Sequence, residues 1–379
     1  MKFVIAPDSY KETLTAKEAA SIMSDCVKAE FPDAEVAVFP VADGGEGTAE
    51  CIASAAGGTI LYRTVTYPDR SKGAAGFAML PGKTAVIDMA AAAGIALTRG
   101  KCSPELATTY GVGELIAAAV SVGAENITVG LGGSGTHDFG CGCAAALGAR
   151  FFDGNGKEFV PVGATLNDIW HIDLSDVSLP KIIKLTALCD VDVPPCGENG
   201  AAFVFAPQKG ADKAMCRTLD KGVKHLCSVI KADLGVDVFN LKGGGAAGAL
   251  GAGLYTFLNA ELRSGIETVL EMTGFDRALS EADLVFTGEG KTDIQTLSGK
   301  AVAGVAKRAK AAGVRTVAVA GYFDGDESLR ALLKDVGVWR IYSINSEKRD
   351  IESLKRSAAE DLRRRMTEII RELRSEKAI

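Results

Sequence analysis

The stretch Phe3-Val4-Ile5-Ala6-Pro7-Asp8-Ser9-Tyr10-Lys11 decides how the fold is read. Its apolar run, Phe3 to Ala6, predicts a short strand, and Pro7 to Thr15 predicts the loop that leaves it. Thr15 followed three residues later by Glu18 has the spacing of a capping box, so an amphipathic helix is expected over Ala16 to Glu30. The rhythm then repeats. Val36 to Val41 reads as a buried strand, Asp43-Gly44-Gly45-Glu46-Gly47-Thr48 as its loop, and a helix starts near Thr48. Strand, loop and helix twice in succession are the mark of parallel α/β units.

Further along the chain the texture changes. Ile60 to Tyr67 and Gly76 to Leu80 alternate in polarity, with Asp69 to Gly73 as a loop between them, and Val86 to Met89 reads as a short strand. A helix is predicted over Val112 to Val122, strands over Ile127 to Leu131 and Leu185 to Cys189, and helices over Gly140 to Gly148, Ala211 to Leu234 and Ala246 to Asn259. After Ser280 the first rhythm returns. Leu284 to Thr287, Thr316 to Ala320 and Arg340 to Ile344 read as strands, Gly299 to Ala312 as a helix, and a long helix closes the sequence. The expectation is an α/β protein of two α/β domains. Residues 1–65 and 281–379 form a discontinuous Rossmann-like domain with a parallel sheet, residues 66–280 an inserted α/β domain, and the active site lies in the cleft between them.

Composition agrees. Apolar residues make up 47% of the 379, aromatics only 6%, and glycine is abundant at 44, which suits helices lying close on sheets and excludes a disordered chain. A formal net charge of −6 and the absence of a basic domain argue against a nucleic-acid partner. The mixed Arg and Glu of Lys355 to Lys377 read as a solvated helix face. The first apolar run is too short for a signal peptide core, and no stretch is long enough for a membrane span, so neither membrane nor export is expected. Nine scattered cysteines fit reduced thiols in the cytoplasm, and Cys141-Gly-Cys143 lacks the second pair that a zinc site needs.

Chemistry is expected in loops at strand ends, where parallel sheets bind ligands. Asp8, Ser9 and Lys11 offer a carboxylate, a hydroxyl and a cation. Asp43-Gly44-Gly45-Glu46-Gly47 holds three glycines within four positions and permits close approach of a ligand. Gly130 to Gly140 is the densest cluster of glycine and hydroxyl residues. Gly132, Gly133, Ser134, Thr136 and Asp138 lie in it, and its backbone can form an anion nest. It is not a Walker A loop, because no Gly-Lys-Ser/Thr follows at the required spacing. Asp190 and Asp192 stand at a strand end with one residue between them, a spacing that suits Mg²⁺, and either can accept the proton of an attacking hydroxyl. Glu289, Asp293 and Lys300 follow another strand. Acidic residues, anion loops and two domains fit phosphoryl transfer, which needs positioning, a metal and charge neutralisation. Acyl transfer is poorly supported with three histidines and no nucleophile motif. A nicotinamide oxidoreductase lacks its Gly-x-Gly-x-x-Gly fingerprint.

The sequence also resembles the type I glycerate kinase family. The matching pieces are Ile5 to Lys11, Pro40 to Thr48, Thr108 to Ile116, Gly132-Gly133-Ser134, Cys189 to Asp192, Asn199-Gly200-Ala201, Pro207-Gln208-Lys209-Gly210-Ala211, Gly243 to Gly253, Thr287 to Gly290 and Thr296 to Lys300. The resemblance implies ATP and Mg²⁺ as cofactors, D-glycerate as the small-molecule acceptor, and a product phosphorylated usually at O2. With it, Asp190, Asp192 and Lys11 are the expected catalytic residues, the two aspartates also being the metal ligands. Asp8, Ser9, Asp43, Gly44 and Gly45 are expected to bind the acid. Gly132, Gly133, Ser134, Thr136, Asp138, Glu289, Asp293 and Lys300 are expected to bind nucleotide phosphates. The sequence departs from the family at His137 and Phe139, where Asn and Gly are usual, at Val193, where Asn is usual, and at Ala91 to Ile95. These changes leave open a related hydroxy acid as acceptor, or a ligand-binding homologue without turnover.

Overall fold

A computed structural model describes residues 1–10 and 13–379, with Ser298 described by its backbone alone. It is an α/β protein of two compact units: residues 1–43, 54–56 and 265–379 form the first, and residues 44–53 and 57–264 the second.

The first unit is built on a five-stranded sheet. In spatial order its strands are Val338–Asn345, Arg315–Phe323, Leu284–Thr292, Lys2–Pro7 and Glu35–Val38, and every neighbouring pair is parallel. The apolar run that opens the sequence is explained by burial on both faces of this sheet. Phe3 and Ile5 pack with Ala19 and Met23 of helix Ala16–Glu30 and with Leu362, Met366 and Ile369 of helix Ile351–Ser375. Val4 and Ala6 turn the other way, onto Ile266 and Leu270 of helix Gly265–Thr273 and Ala301 and Val305 of helix Ala301–Ala311. The capping box expected at Thr15 and Glu18 is formed. The closing helix has an exposed Arg and Glu face, but its other face buries Leu362 to Leu373 in this core.

From Lys2–Pro7 the chain steps to one edge of the sheet, and from Leu284–Thr292 it steps to the other. The central pair is therefore the switch point, and the loops that leave it diverge, which opens a crevice at the carboxyl ends of the strands. Asp8 and Glu289 lie at that crevice.

The second unit holds a six-stranded mixed sheet in the order Glu261–Arg263, Lys184–Leu188, Asn126–Gly130, Thr84–Asp88, Lys72–Leu80 and Thr59–Thr66. Its first four strands are parallel and its last two form an antiparallel hairpin. A small three-stranded sheet, Glu158–Phe159, Arg150–Phe152 and His171–Asp173, completes it.

The crossings between units differ from the expected 65 and 280. Thr59–Thr66 belongs to the second unit because all eight of its residues pair with Lys72–Leu80. Helices Gly265–Thr273 and Phe275–Leu279 belong to the first because Ile266, Leu270 and Phe275 fill its core. Among the described residues no helix is long and apolar enough to cross a membrane.

Candidate active site

In the first unit, one cavity of about 400 Å³ opens at the switch point. Asp8, Ser9, Asp43, Glu289, Asp293 and Lys300, six of the residues singled out in the sequence, line it together with Tyr10, Lys291 and Arg349. Its size is that of a small-ligand site.

Each group is held by its own strand or loop. The Asp8 amide donates to the Gly288 carbonyl at 2.8 Å, and the Ser9 amide donates to the Asp8 carboxylate at 2.6 Å. Tyr10 is buried beside them, its hydroxyl donating to the Val319 carbonyl at 2.7 Å, and burial raises the phenol's pKa. Glu289 is only 5% exposed, and one carboxylate oxygen accepts from the hydroxyls of Thr292 at 3.0 Å and Thr296 at 2.6 Å. Burial raises its pKa, against the two hydroxyl bonds that lower it. Asp293 caps the short turn Ile294–Ser298 and pairs with Lys291 at 3.1 Å. Lys300 stands just ahead of helix Ala301–Ala311, with its ammonium 4.0 Å from Asp293. Lys291 also pairs with Asp324 at 2.6 Å, so both lysines stand among carboxylates at the cavity. Lys11, expected to be catalytic, lies outside the described residues.

In the second unit, the two glycine loops pack on each other. The Gly132 amide donates to the Gly44 carbonyl at 2.9 Å. A Cβ on Gly132 would run into Gly45 Cα, so only glycine lets the two backbones meet. Gly44 and Gly47 take left-handed φ values of 84° and 91°. The loop is secured by Asp88, which sequence reading missed. Its buried carboxylate accepts from the amides of Gly47 at 2.9 Å and Ala49 at 3.0 Å, and burial pushes its pKa up to about 7 against those two bonds. Its signal was its place at the end of an apolar strand, like Asp8 and Asp190.

The loop Gly130 to Gly140 shows its charged groups to the interior. Gly132 and Gly133 reach solvent, whereas Ser134, Thr136, His137, Asp138 and Phe139 are buried. Asp138, expected on a nucleotide phosphate, has no exposed surface. Its carboxylate accepts from the Thr109 amide and hydroxyl and the amides of Gly140 and Gly142, at 2.7 to 3.3 Å. That placement suits holding the loop rather than touching a ligand. Phe139 keeps a left-handed φ of 57°, the conformation for which glycine is usual. Its ring compensates by packing against Phe257, with centroids 6.0 Å apart. His137 is wholly buried and neutral, its pKa lowered to about 3 by burial and by the charge of Lys209. Both departures from the family pattern therefore face the core.

Lys209, in the Pro207 to Ala211 match but not singled out as a site residue, lies beneath this loop. Its ammonium donates to Ser134 Oγ at 2.7 Å and to the Thr136 carbonyl at 2.8 Å. At the end of strand Lys184–Leu188, the Ser264 hydroxyl donates to Asp190 Oδ1 at 2.7 Å. Asp190 is half-buried and Asp192 exposed. Among the described residues no three His, Cys, Asp or Glu side chains gather to hold a metal by themselves. Mg²⁺ needs only one or two carboxylates when phosphate and water complete its shell, the number that the expected pair Asp190 and Asp192 would supply.

The comparisons with known proteins agree with one another. The profile described as "Glycerate kinase family" matches residues 3–374. The chain is 43% identical to a glycerate kinase of Bacillus cereus over 96% of its own length and 95% of the relative's. It is also 43% identical to a glycerate 2-kinase of Escherichia coli, over 91% and 89% of the two chains. A crystal structure of a candidate glycerate kinase 2 from Salmonella typhimurium LT2 superposes with a TM-score of 0.86 at 37% identity, each chain covering 100% of the other.

Proposed function

We propose, since this chain belongs to the glycerate kinase family, that it transfers the γ-phosphoryl group of ATP to the 2-hydroxyl of D-glycerate and releases 2-phosphoglycerate. The observation that carries the reading is the cavity at the switch point of the parallel sheet, where buried carboxylates and two lysines converge. Lys300, Asp293, Glu289 and the Gly132–Thr136 loop are assigned to the nucleotide phosphates. Asp8, Ser9, Asp43, Lys11 and the Gly44–Gly45 backbone are assigned to the acid.

In this reading Asp190 accepts the proton of the attacking hydroxyl, with the Ser264 hydroxyl donating to its Oδ1 at 2.7 Å. The hydroxyl oxygen then bonds to the γ-phosphorus as the bridging oxygen of ADP departs. Asp190 and Asp192 are the residues that would hold Mg²⁺, which supplies charge neutralisation for the phosphate oxygens. The acid and the nucleotide are small solutes, and free thiols at all nine cysteines suit the cytoplasm proposed as its location.

A non-catalytic homologue is disfavoured, because two of the three changes that raised it, His137 and Phe139, are buried in the core; the third, Val193, is half-buried beside Asp192. The test is a coupled assay of ATP consumption across D-glycerate, L-glycerate and related hydroxy acids. Turnover with D-glycerate above all others supports the reading. Tight binding without ATP consumption would establish the homologue instead.

A further inference from the structure

Lys209 presents an imbalance of charge. It is 8% exposed, and among the described residues it makes no ion pair. The negative group that acts on it is Asp138, but that carboxylate is already occupied by four donors from Thr109, Gly140 and Gly142. A buried ammonium with only a hydroxyl and a carbonyl for partners is costly, and burial lowers its pKa to about 7. Such a charge persists where something compensates it in the working state.

The hydroxyl it touches is the second observation. Ser134 Oγ accepts from Lys209 at 2.7 Å, and among the described residues its own proton has no acceptor. The neighbouring Thr136 hydroxyl has no exposed surface and no hydrogen-bond partner. Two hydroxyl donors thus lie unspent in a loop whose outer glycines, Gly132 and Gly133, reach solvent.

We propose that Lys209 is a positioning residue. Held beneath the Gly132–Thr136 loop, its ammonium turns the Ser134 hydroxyl into a free donor and gives the loop the positive charge with which it receives a substrate oxyanion. The oxyanion is either a nucleotide phosphate or the carboxylate of the acceptor acid. The inference rests on the kinase reading above. It also implies proton uptake. The titratable groups that act on Lys209 are Asp138, which favours its charge, and His137, which stays neutral. An anion arriving at Ser134 raises the lysine's pKa, so binding near pH 7.5 draws a proton from solvent.

The experiment is isothermal titration of D-glycerate, and separately of a non-hydrolysable ATP analogue with Mg²⁺, into wild type, Lys209→Met and Lys209→Arg. Each titration is run in two buffers of different ionisation enthalpy. Lys209→Met should weaken one ligand by about tenfold or more and abolish the buffer-dependent proton uptake. Lys209→Arg should restore part of the affinity. Loss confined to glycerate identifies the carboxylate, and loss confined to the analogue identifies the phosphate. Unchanged affinity for both ligands, with proton uptake intact, overturns the inference. If Lys209→Met does not fold, Ser134→Ala takes its place: weakening of one ligand supports the inference and unchanged binding of both overturns it. Phosphoryl transfer by wild type is measured first. Its absence overturns the kinase reading and this inference together, whereas transfer with unaltered binding in the variants overturns the inference alone.

Discussion

The Asp8 amide donates to the Gly288 carbonyl at 2.8 Å, joining the two central strands of the first unit one residue beyond their last paired position, Pro7 with Gly288. This bond fixes where Asp8 leaves the sheet, beside Glu289, which stays paired with Ala320 of the next strand. It holds the crevice at the switch point in its shape, while the Glu289 carboxylate is oriented by the hydroxyls of Thr292 and Thr296.

Gly288 leaves no room for a side chain at this junction. A Cβ there would run into the Val319 carbonyl and the Tyr10 hydroxyl. Gly288→Ala should destabilise the protein by about 1–3 kcal/mol and reduce turnover as Tyr10 is displaced. A thermal melt and a steady-state assay on the same preparation check this. An unchanged melting temperature would show that the strand ends are not packed as described.

Asp190→Asn should lower kcat by roughly 10²-fold or more, as expected when a general base is neutralised, while the protein stays folded. Ser264→Ala removes the hydroxyl bond to Asp190 and should reduce kcat by a smaller factor. A folded Asp190→Asn with wild-type turnover would remove that residue from catalysis.

The lysines divide the substrates. Lys300→Ala should raise KM for ATP with little effect on KM for glycerate, because Lys300 stands by Asp293 at a helix start. Lys11→Ala should do the reverse. The opposite pattern would mean that the acid and the nucleotide exchange places.

Asp88 makes stability depend on pH. Its pKa is about 7 in the folded protein against an ordinary 3.8, because burial outweighs its two amide bonds. Between those values the folded state keeps a proton that the unfolded state has released, so stability falls as pH rises from about 4 to 7. Asp88→Asn removes that term. The melting temperature of the variant relative to wild type should be higher at pH 8 than at pH 5. A difference independent of pH would mean that Asp88 titrates normally.

Much of this was legible in the sequence because period and position carried it. Phe3 to Ala6 is apolar throughout because alternate residues face opposite covered faces of a parallel sheet, and residues at the ends of such strands converge by topology. The cavity accordingly gathers Asp8, Asp43, Glu289, Asp293 and Lys300. What was not legible depends on direction. The glycine loop reads as a nest facing solvent, yet Asp138 turns inward to bind three neighbouring residues. Lys209 stands in the Pro207 to Ala211 match without a role, since sequence does not show that its ammonium ends beneath a loop distant in the chain. The left-handed backbone of Ala247 and Ala249 has no signal either, because alanine favours a right-handed helix and seldom takes that conformation.

In the proposed reaction phosphate moves from ATP to the 2-hydroxyl of D-glycerate, and phosphorus NMR of the products, without proton decoupling, reads out that position. A phosphate on O2 couples to the single proton of a secondary carbon and appears as a doublet, whereas a phosphate on O3 couples to two protons and appears as a triplet. A new doublet is expected to grow as ATP is consumed, dependent on enzyme and on D-glycerate. A triplet, or ATP left intact with D-glycerate present, would contradict it.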